Sequence, residues 1–139
     1  MLCFLAVFSA LSEAAERGDE PPRIVAEGLE AFKNFGAQAA FDAWLKGSAI
    51  EGDNATKPAL IETASQAGQV YGRILGYEFI RVTPISPSIK RVYAAVLFEK
   101  GPLYLTFDCY RTAHSWIVSQ LEANARIPSE LSIAALESK

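Results

Sequence analysis

Residues Leu103–Arg111 read Leu-Tyr-Leu-Thr-Phe-Asp-Cys-Tyr-Arg, and this stretch decides the fold. Apolar and polar side chains alternate along it with a period of two, which is typical of a strand buried on one face. The apolar face comprises Leu103, Leu105, Phe107 and Cys109, and the opposite face comprises Tyr104, Thr106, Asp108 and Tyr110. We therefore expect helices to cover the apolar face and the two phenols to lie outside.

Further strand-forming segments flank this stretch on both sides. Arg91–Phe98 precedes it, Tyr77–Val82 lies earlier, and Trp116–Glu122 follows it. Short turns between neighbouring strands predict an antiparallel meander. Prolines between the first two strands predict a loop over residues 84–88, because proline is excluded from central strands.

Two helical patterns precede the strands. The first opens at Pro21-Pro22, and Phe35-Gly36 is expected to divide it into two helices. Its apolar stripe comprises Val25, Leu29, Phe32, Gly36, Ala40 and Trp44. The second begins at Thr56 and is expected to stop near Gly76. Its stripe comprises Leu60, Ala64, Ala67, Tyr71 and Ile74.

Helices followed by an antiparallel sheet predict an α+β fold with the helices packed on one sheet face. Residues 21–139 are expected to form this single domain, since 139 residues suit one domain. Residues 1–20 resemble a signal-like leader followed by a flexible segment. The apolar run Leu2–Leu11 is too short to span a bilayer, and small residues predict cleavage after Ala14. We expect export to the periplasm or outside the cell. The alternative is an apolar N-terminal helix packed on a cytoplasmic protein, because no basic stretch precedes the run.

Composition excludes several classes of function. Thirteen basic against sixteen acidic residues give a net charge of −3 without a basic cluster, which argues against nucleic-acid binding. The chain has two cysteines and one histidine, so we expect neither a metal site nor a disulfide scaffold. No glycine-rich phosphate loop or nucleophile elbow is present, and we expect no cofactor. Cys109 is interpreted as a packing residue.

Three stretches and one tryptophan resemble a known superfold. They are Ala39–Ser48, Tyr71–Glu78, Glu99–Arg111 and Trp116. The chain resembles the nuclear transport factor 2-like superfold, which is cystatin-like in shape and includes SnoaL-like and ketosteroid-isomerase-like proteins. It resembles more narrowly the small exported bacterial members of uncertain function. The resemblance implies a cone-shaped arrangement in which helices lie on a curved antiparallel sheet.

The resemblance also implies where catalysis would take place. Isomerase and cyclase members hold a carboxylate base between helices and sheet, where burial moves its pKa toward the working pH. Asp42, which is flanked by apolar residues in a helix, and Asp108 on the polar strand face are the candidates. No isomerase motif matches residue by residue, so no residue is assigned a catalytic role.

Three interpretations of function follow. We favour a non-catalytic exported module that binds a small apolar ligand or a protein partner, including a homodimer formed through the sheet. Its candidate ligand-binding or interface residues are Tyr93, Tyr104, Thr106, Asp108, Tyr110, Trp44 and Asp42. The second interpretation is an isomerase- or cyclase-like enzyme that uses a pocket carboxylate. The third is a structural accessory protein with an interior filled by Phe32, Trp44, Phe79 and Phe107.

Overall fold

A computed structural model describes residues 20–132, in which three helices precede a four-stranded sheet. The helices are α1 (Arg23–Phe35), α2 (Ala37–Trp44) and α3 (Thr56–Tyr71), and the strands are β1 (Ile74–Ser86), β2 (Ile89–Phe98), β3 (Gly101–Arg111) and β4 (Trp116–Asn124). A short helical turn covers residues 129–132. The signal-like leader that the sequence predicts lies outside the described residues. Within residues 20–132, no helix is long and apolar enough to cross a bilayer.

The four strands form one sheet in the order β1-β2-β3-β4, and each neighbouring pair is antiparallel. Each strand thus pairs with the next one along the chain. This arrangement confirms the predicted α+β class and the meander. It also makes β1 one edge of the described sheet and β4 the other.

The helix boundaries follow local chemistry. α1 starts directly after Pro22 and ends at Gly36, whose φ of 97° is a conformation that favours glycine. The predicted division at Phe35-Gly36 is therefore confirmed. The second boundary prediction was wrong: α3 ends at Gly72, where φ is 92°, and Gly76 belongs to β1. Either glycine could end a helix, and the β-branched Ile74 between them favours a strand.

The first strand is longer than predicted. β1 continues through Pro84, which was assigned to a loop. Proline is tolerated there because β1 is an edge strand of the described sheet, so one of its sides forms no backbone hydrogen bonds with another strand of that sheet. Register shifts against β2 occur at three places along β1. Bulges and proline both discourage an edge from pairing with another chain.

The two faces of the sheet differ as the alternation in β3 predicts. Leu103, Leu105, Phe107 and Cys109 are buried, whereas Tyr104, Thr106 and Asp108 are half-buried and Tyr110 is exposed. The ring of Phe107 lies 5.0 Å from the ring of Trp44 in α2, so the apolar face meets the helices. We call this the helix side and the opposite surface the outer face.

Trp44 lies at the centre of the helix side. Its indole Nε1 donates a hydrogen bond to the carbonyl oxygen of Val25 in α1 over 3.0 Å. Its ring also packs against Phe32 of α1 and Phe41 of α2, with centroids 6.3 and 5.1 Å away. Aromatic pairs at these separations add to the free energy gained from burial alone. One side chain therefore joins α1, α2 and β3.

Gly28 makes this position of Trp44 sterically allowed. A Cβ atom added at Gly28 would overlap the indole ring of Trp44. We expect Gly28→Ala to lower the free energy of unfolding by about 3 kcal/mol, because overpacking forces a core side chain from its rotamer. Urea denaturation measures the change. Gly52→Ala is the matched control, since no atom lies within 4 Å of its added Cβ. Equal stability of the two variants would contradict this packing.

Candidate functional site

The outer face carries an ion pair between its two central strands. Arg91 of β2 lies opposite Asp108 of β3 in the register of the sheet. Its Nε donates to Oδ1 over 2.7 Å and its Nη2 donates to Oδ2 over 3.0 Å. Such a bidentate pair is geometrically specific. The hydrogen bond that Arg91 donates to Asp108 raises the pKa of Arg91 above its ordinary value, and an interaction with Tyr93 adds to this effect.

A small polar pocket surrounds this ion pair. Its volume is about 180 Å³, below the range usual for sites that enclose a drug-sized ligand. The polar lining comes from Arg91, Thr106, Asp108, Gln120, Glu122 and Glu130. Glu130 belongs to the turn over residues 129–132, and its Oε1 lies 3.6 Å from Nη1 of Arg91. The C-terminal turn therefore reaches across the outer face to the pocket.

The candidate tyrosines occupy the rest of this face with unequal exposure. Tyr93 is opposite Thr106 and is only 5% exposed, although it lies on the face expected to be solvated. Tyr104 is half-buried, and Tyr110 is 46% exposed. Tyr110 pairs with Ile89 on one side and Ile117 on the other, which makes an apolar row across three strands. Five of the seven candidate residues therefore share one surface.

The other two candidates lie on the helix side of the molecule. Trp44 is fully buried in the core, so a ligand on the outer face cannot touch it. Asp42 is on the surface of α2, where its carboxylate lies 2.8 Å from Nζ of Lys57 and accepts a hydrogen bond from Gln38. These seven residues do not form a single site. The sequence alone could not assign these residues to different surfaces, because the apolar stripe of α2 does not indicate which residues contact the positions beside it.

The surroundings of Asp42 oppose its use as a general base. The hydrogen bond from Lys57 lowers the pKa of Asp42, and the bond from Gln38 acts in the same direction. A carboxylate base at neutral pH requires the opposite shift, produced by desolvation. Asp108, the other candidate, lies on the outer face with both oxygens accepting from Arg91. Neither carboxylate is between the helices and the sheet, where the isomerase interpretation places one.

The interior between helices and sheet is occupied by aromatic rings. Phe32, Trp44, Phe98 and Phe107 make successive ring contacts there. In the described part of the chain, every buried side-chain nitrogen and oxygen has a hydrogen-bond partner. The prediction that Phe79 fills this interior was wrong: it is 37% exposed and packs against Tyr77 at the β1 edge.

Two contacts in the structure could not be predicted from the sequence. The pairing of Arg91 with Asp108 depends on the register of β2 and β3, which alternation alone does not fix. The second is a contact between α1 and β1, in which the Tyr77 hydroxyl donates to Glu30 Oε1 over 2.5 Å. Forty-seven residues separate this pair in the chain, and no local pattern connects them.

The cysteine and the histidine in the described residues are not arranged as a nucleophile or as metal ligands. Cys109 is buried, and desolvation raises the pKa of its thiol to about 12, so it is a poor nucleophile. His114 is exposed in the β3–β4 turn, where its backbone N–H bonds Thr112. Among residues 20–132, no three acidic, histidine or cysteine side chains are grouped as metal ligands.

Fold and site together define an α+β protein with an open four-stranded sheet, whose outer face carries both polar and apolar side chains. Comparison with models of protein families, with curated proteins and with solved structures finds no match to this chain.

Because of the contact between Tyr77 and Glu30, we expect the free energy of unfolding of the domain to decrease at alkaline pH. The hydrogen bond to Glu30 raises the pKa of the Tyr77 phenol above its ordinary value of 10.0, and burial adds to this. The folded pKa exceeds the unfolded one, so this stabilisation is complete below pH 10.0 and is lost as pH rises through the folded pKa.

Ultraviolet titration of phenolate measures the effect. We expect one phenol of the wild-type chain to ionise above the ordinary pKa of tyrosine. Tyr77→Phe removes this ionisation step, and Glu30→Gln moves it toward lower pH. If Glu30→Gln leaves the titration of the chain unchanged, the contact does not exist in solution.

Proposed function

We propose that this chain is an exported, non-catalytic module that binds a protein partner through the outer face of its sheet. One observation carries the proposal: the outer face combines phenols, an apolar row and a bidentate ion pair, whereas the helix side is covered by α1 and α2 through contacts between aromatic rings. Tyrosine and arginine are enriched at protein interfaces, because each offers a large contact area together with hydrogen bonds. Export is proposed from the leader, and a nuclear transport factor 2-like fold from the order of helices and meander.

The geometry favours a protein partner over a small apolar ligand. The pocket on the outer face holds about 180 Å³ and its lining is mostly polar, so it lacks the volume and the apolar walls such a ligand needs. The aromatic contacts between helices and sheet also agree with the structural accessory interpretation. The outer face distinguishes the binding module from the structural accessory protein. An accessory protein without a binding role has no need for exposed apolar residues beside Tyr110.

A second copy of this chain is the partner that the charges favour. Arg81 lies opposite Tyr93 in the sheet and Glu78 lies opposite Ala95, so both signs of charge occur on the outer face. A two-fold symmetric interface joins a patch to itself and therefore needs such self-complementarity.

Sedimentation velocity over a range of concentrations tests this proposal. We expect the wild-type chain to dimerise and Tyr110→Ala to weaken the dimer by roughly tenfold, or about 1.4 kcal/mol. Val70→Ala is the matched control, because Val70 is also an exposed apolar residue but lies on α3. Equal weakening by both variants would contradict the assignment to the outer face. A wild-type chain that stays monomeric at every concentration would remove the second copy as the partner.

A further inference from the structure

Three residues of β1 are skipped by the register with β2, and each marks a bulge. They are Leu75, Ile80 and Ile85, which follow one another at intervals of five residues. All three are aliphatic, and their exposed fractions are 57%, 44% and 61%. A bulge leaves its extra residue outside the ladder and redirects the side chain. The β1 edge of the described sheet therefore carries a row of exposed aliphatic side chains, which we call the bulge row.

Exposed apolar groups are concentrated on this strand. Among residues 20–132, nine large hydrophobic residues are exposed, and β1 holds four of them, the bulge row and Phe79. Single exposed apolar residues are ordinary, whereas a contiguous group marks a contact surface. The bulges and Pro84 oppose a continuous backbone ladder with another strand. A partner at this edge therefore binds through side chains.

The bulge row is complementary to a second copy of itself. Leu75 and Ile85 lie equally far along the chain on either side of Ile80. Glu78 and Arg81 carry opposite charges beside Ile80; both are exposed and, within residues 20–132, neither takes part in an ion pair. A second β1 that runs antiparallel to the first therefore sets each Leu75 against an Ile85 and each Glu78 against an Arg81. A two-fold symmetric interface requires this kind of self-complementarity.

We propose that two copies of this chain meet antiparallel along the bulge row, with the two-fold axis at Ile80. This inference rests on the proposed function, in which the partner is a second copy, and it names the contact at the β1 edge of the sheet. Ile80 contacts Ile80 of the second copy, and Glu78 of each chain pairs with Arg81 of the other. Glu78 and Arg81 belong to the outer face, so this contact is continuous with that surface.

Reversal of the two charges tests the pairing, with dimerisation measured by sedimentation velocity. We expect Glu78→Arg and Arg81→Glu each to weaken its own homodimer by roughly tenfold or more, because two like-charge contacts replace two ion pairs. A mixture of the two variants restores attraction at both contacts, so we expect its heterodimer to form about as tightly as the wild-type dimer. An ion pair within one chain would give no such recovery.

Ile80→Ser tests the apolar contact at the two-fold axis. We expect this variant to weaken the dimer by roughly tenfold, because the same aliphatic side chain is removed from both copies. Val70→Ser is the matched control, since Val70 is an exposed aliphatic residue of α3. Circular dichroism checks that each variant keeps the fold, as expected for substitutions at exposed positions.

Charge variants that dimerise as tightly as wild type, or a mixture that shows no recovery, overturn this proposal. A wild-type dimer that Tyr110→Ala weakens and Ile80→Ser does not also overturns it, while leaving the outer face as the contact. The reverse pattern contradicts the role of Tyr110 and supports the bulge row. A wild-type chain that stays monomeric at every concentration overturns both.

Discussion

Trp44 occupies a position where α1, α2 and β3 meet. Its indole N–H satisfies the carbonyl of Val25, its ring faces Phe107 of the sheet, and Gly28 leaves the space that the ring fills. A larger residue at position 28 and this tryptophan exclude each other. Because the contact fixes α1 and α2 on one sheet face, it also determines which residues of every strand are left on the other face.

This packing also bears on the proposed function. Aromatic rings contact one another between helices and sheet, and neither candidate base lies there: Asp42 pairs with Lys57 on the surface of α2, and Asp108 pairs with Arg91 on the outer face. The residues on which the proposed recognition depends are on the outer face instead. There Arg91 holds Asp108 and still contacts Glu130, and Tyr110 exposes its ring beside apolar neighbours. We therefore propose the outer face, and not the interior, as the recognition surface.

Much of this architecture could be predicted from the sequence. The alternation in β3 assigned both sheet faces, because burial on one side imposes a period of two. The apolar stripe from Val25 to Trp44 identified the helices that cover it. Alternation does not report register, however, so the ion pair of Arg91 with Asp108 was not foreseen. Alternation also does not show how far neighbouring side chains cover a residue. Tyr93 is therefore buried although it lies on a face that was expected to be solvated.

The burial of Trp44 is the central claim, and fluorescence measures it directly. The chain contains two tryptophans, so Trp116→Phe leaves Trp44 as the sole indole emitter. The packing described above predicts blue-shifted emission that acrylamide barely quenches, with the urea-unfolded chain as the exposed reference. Emission and quenching equal to those of the unfolded chain would mean that the helices do not close on the sheet, and the assignment of recognition to the outer face would lose its basis.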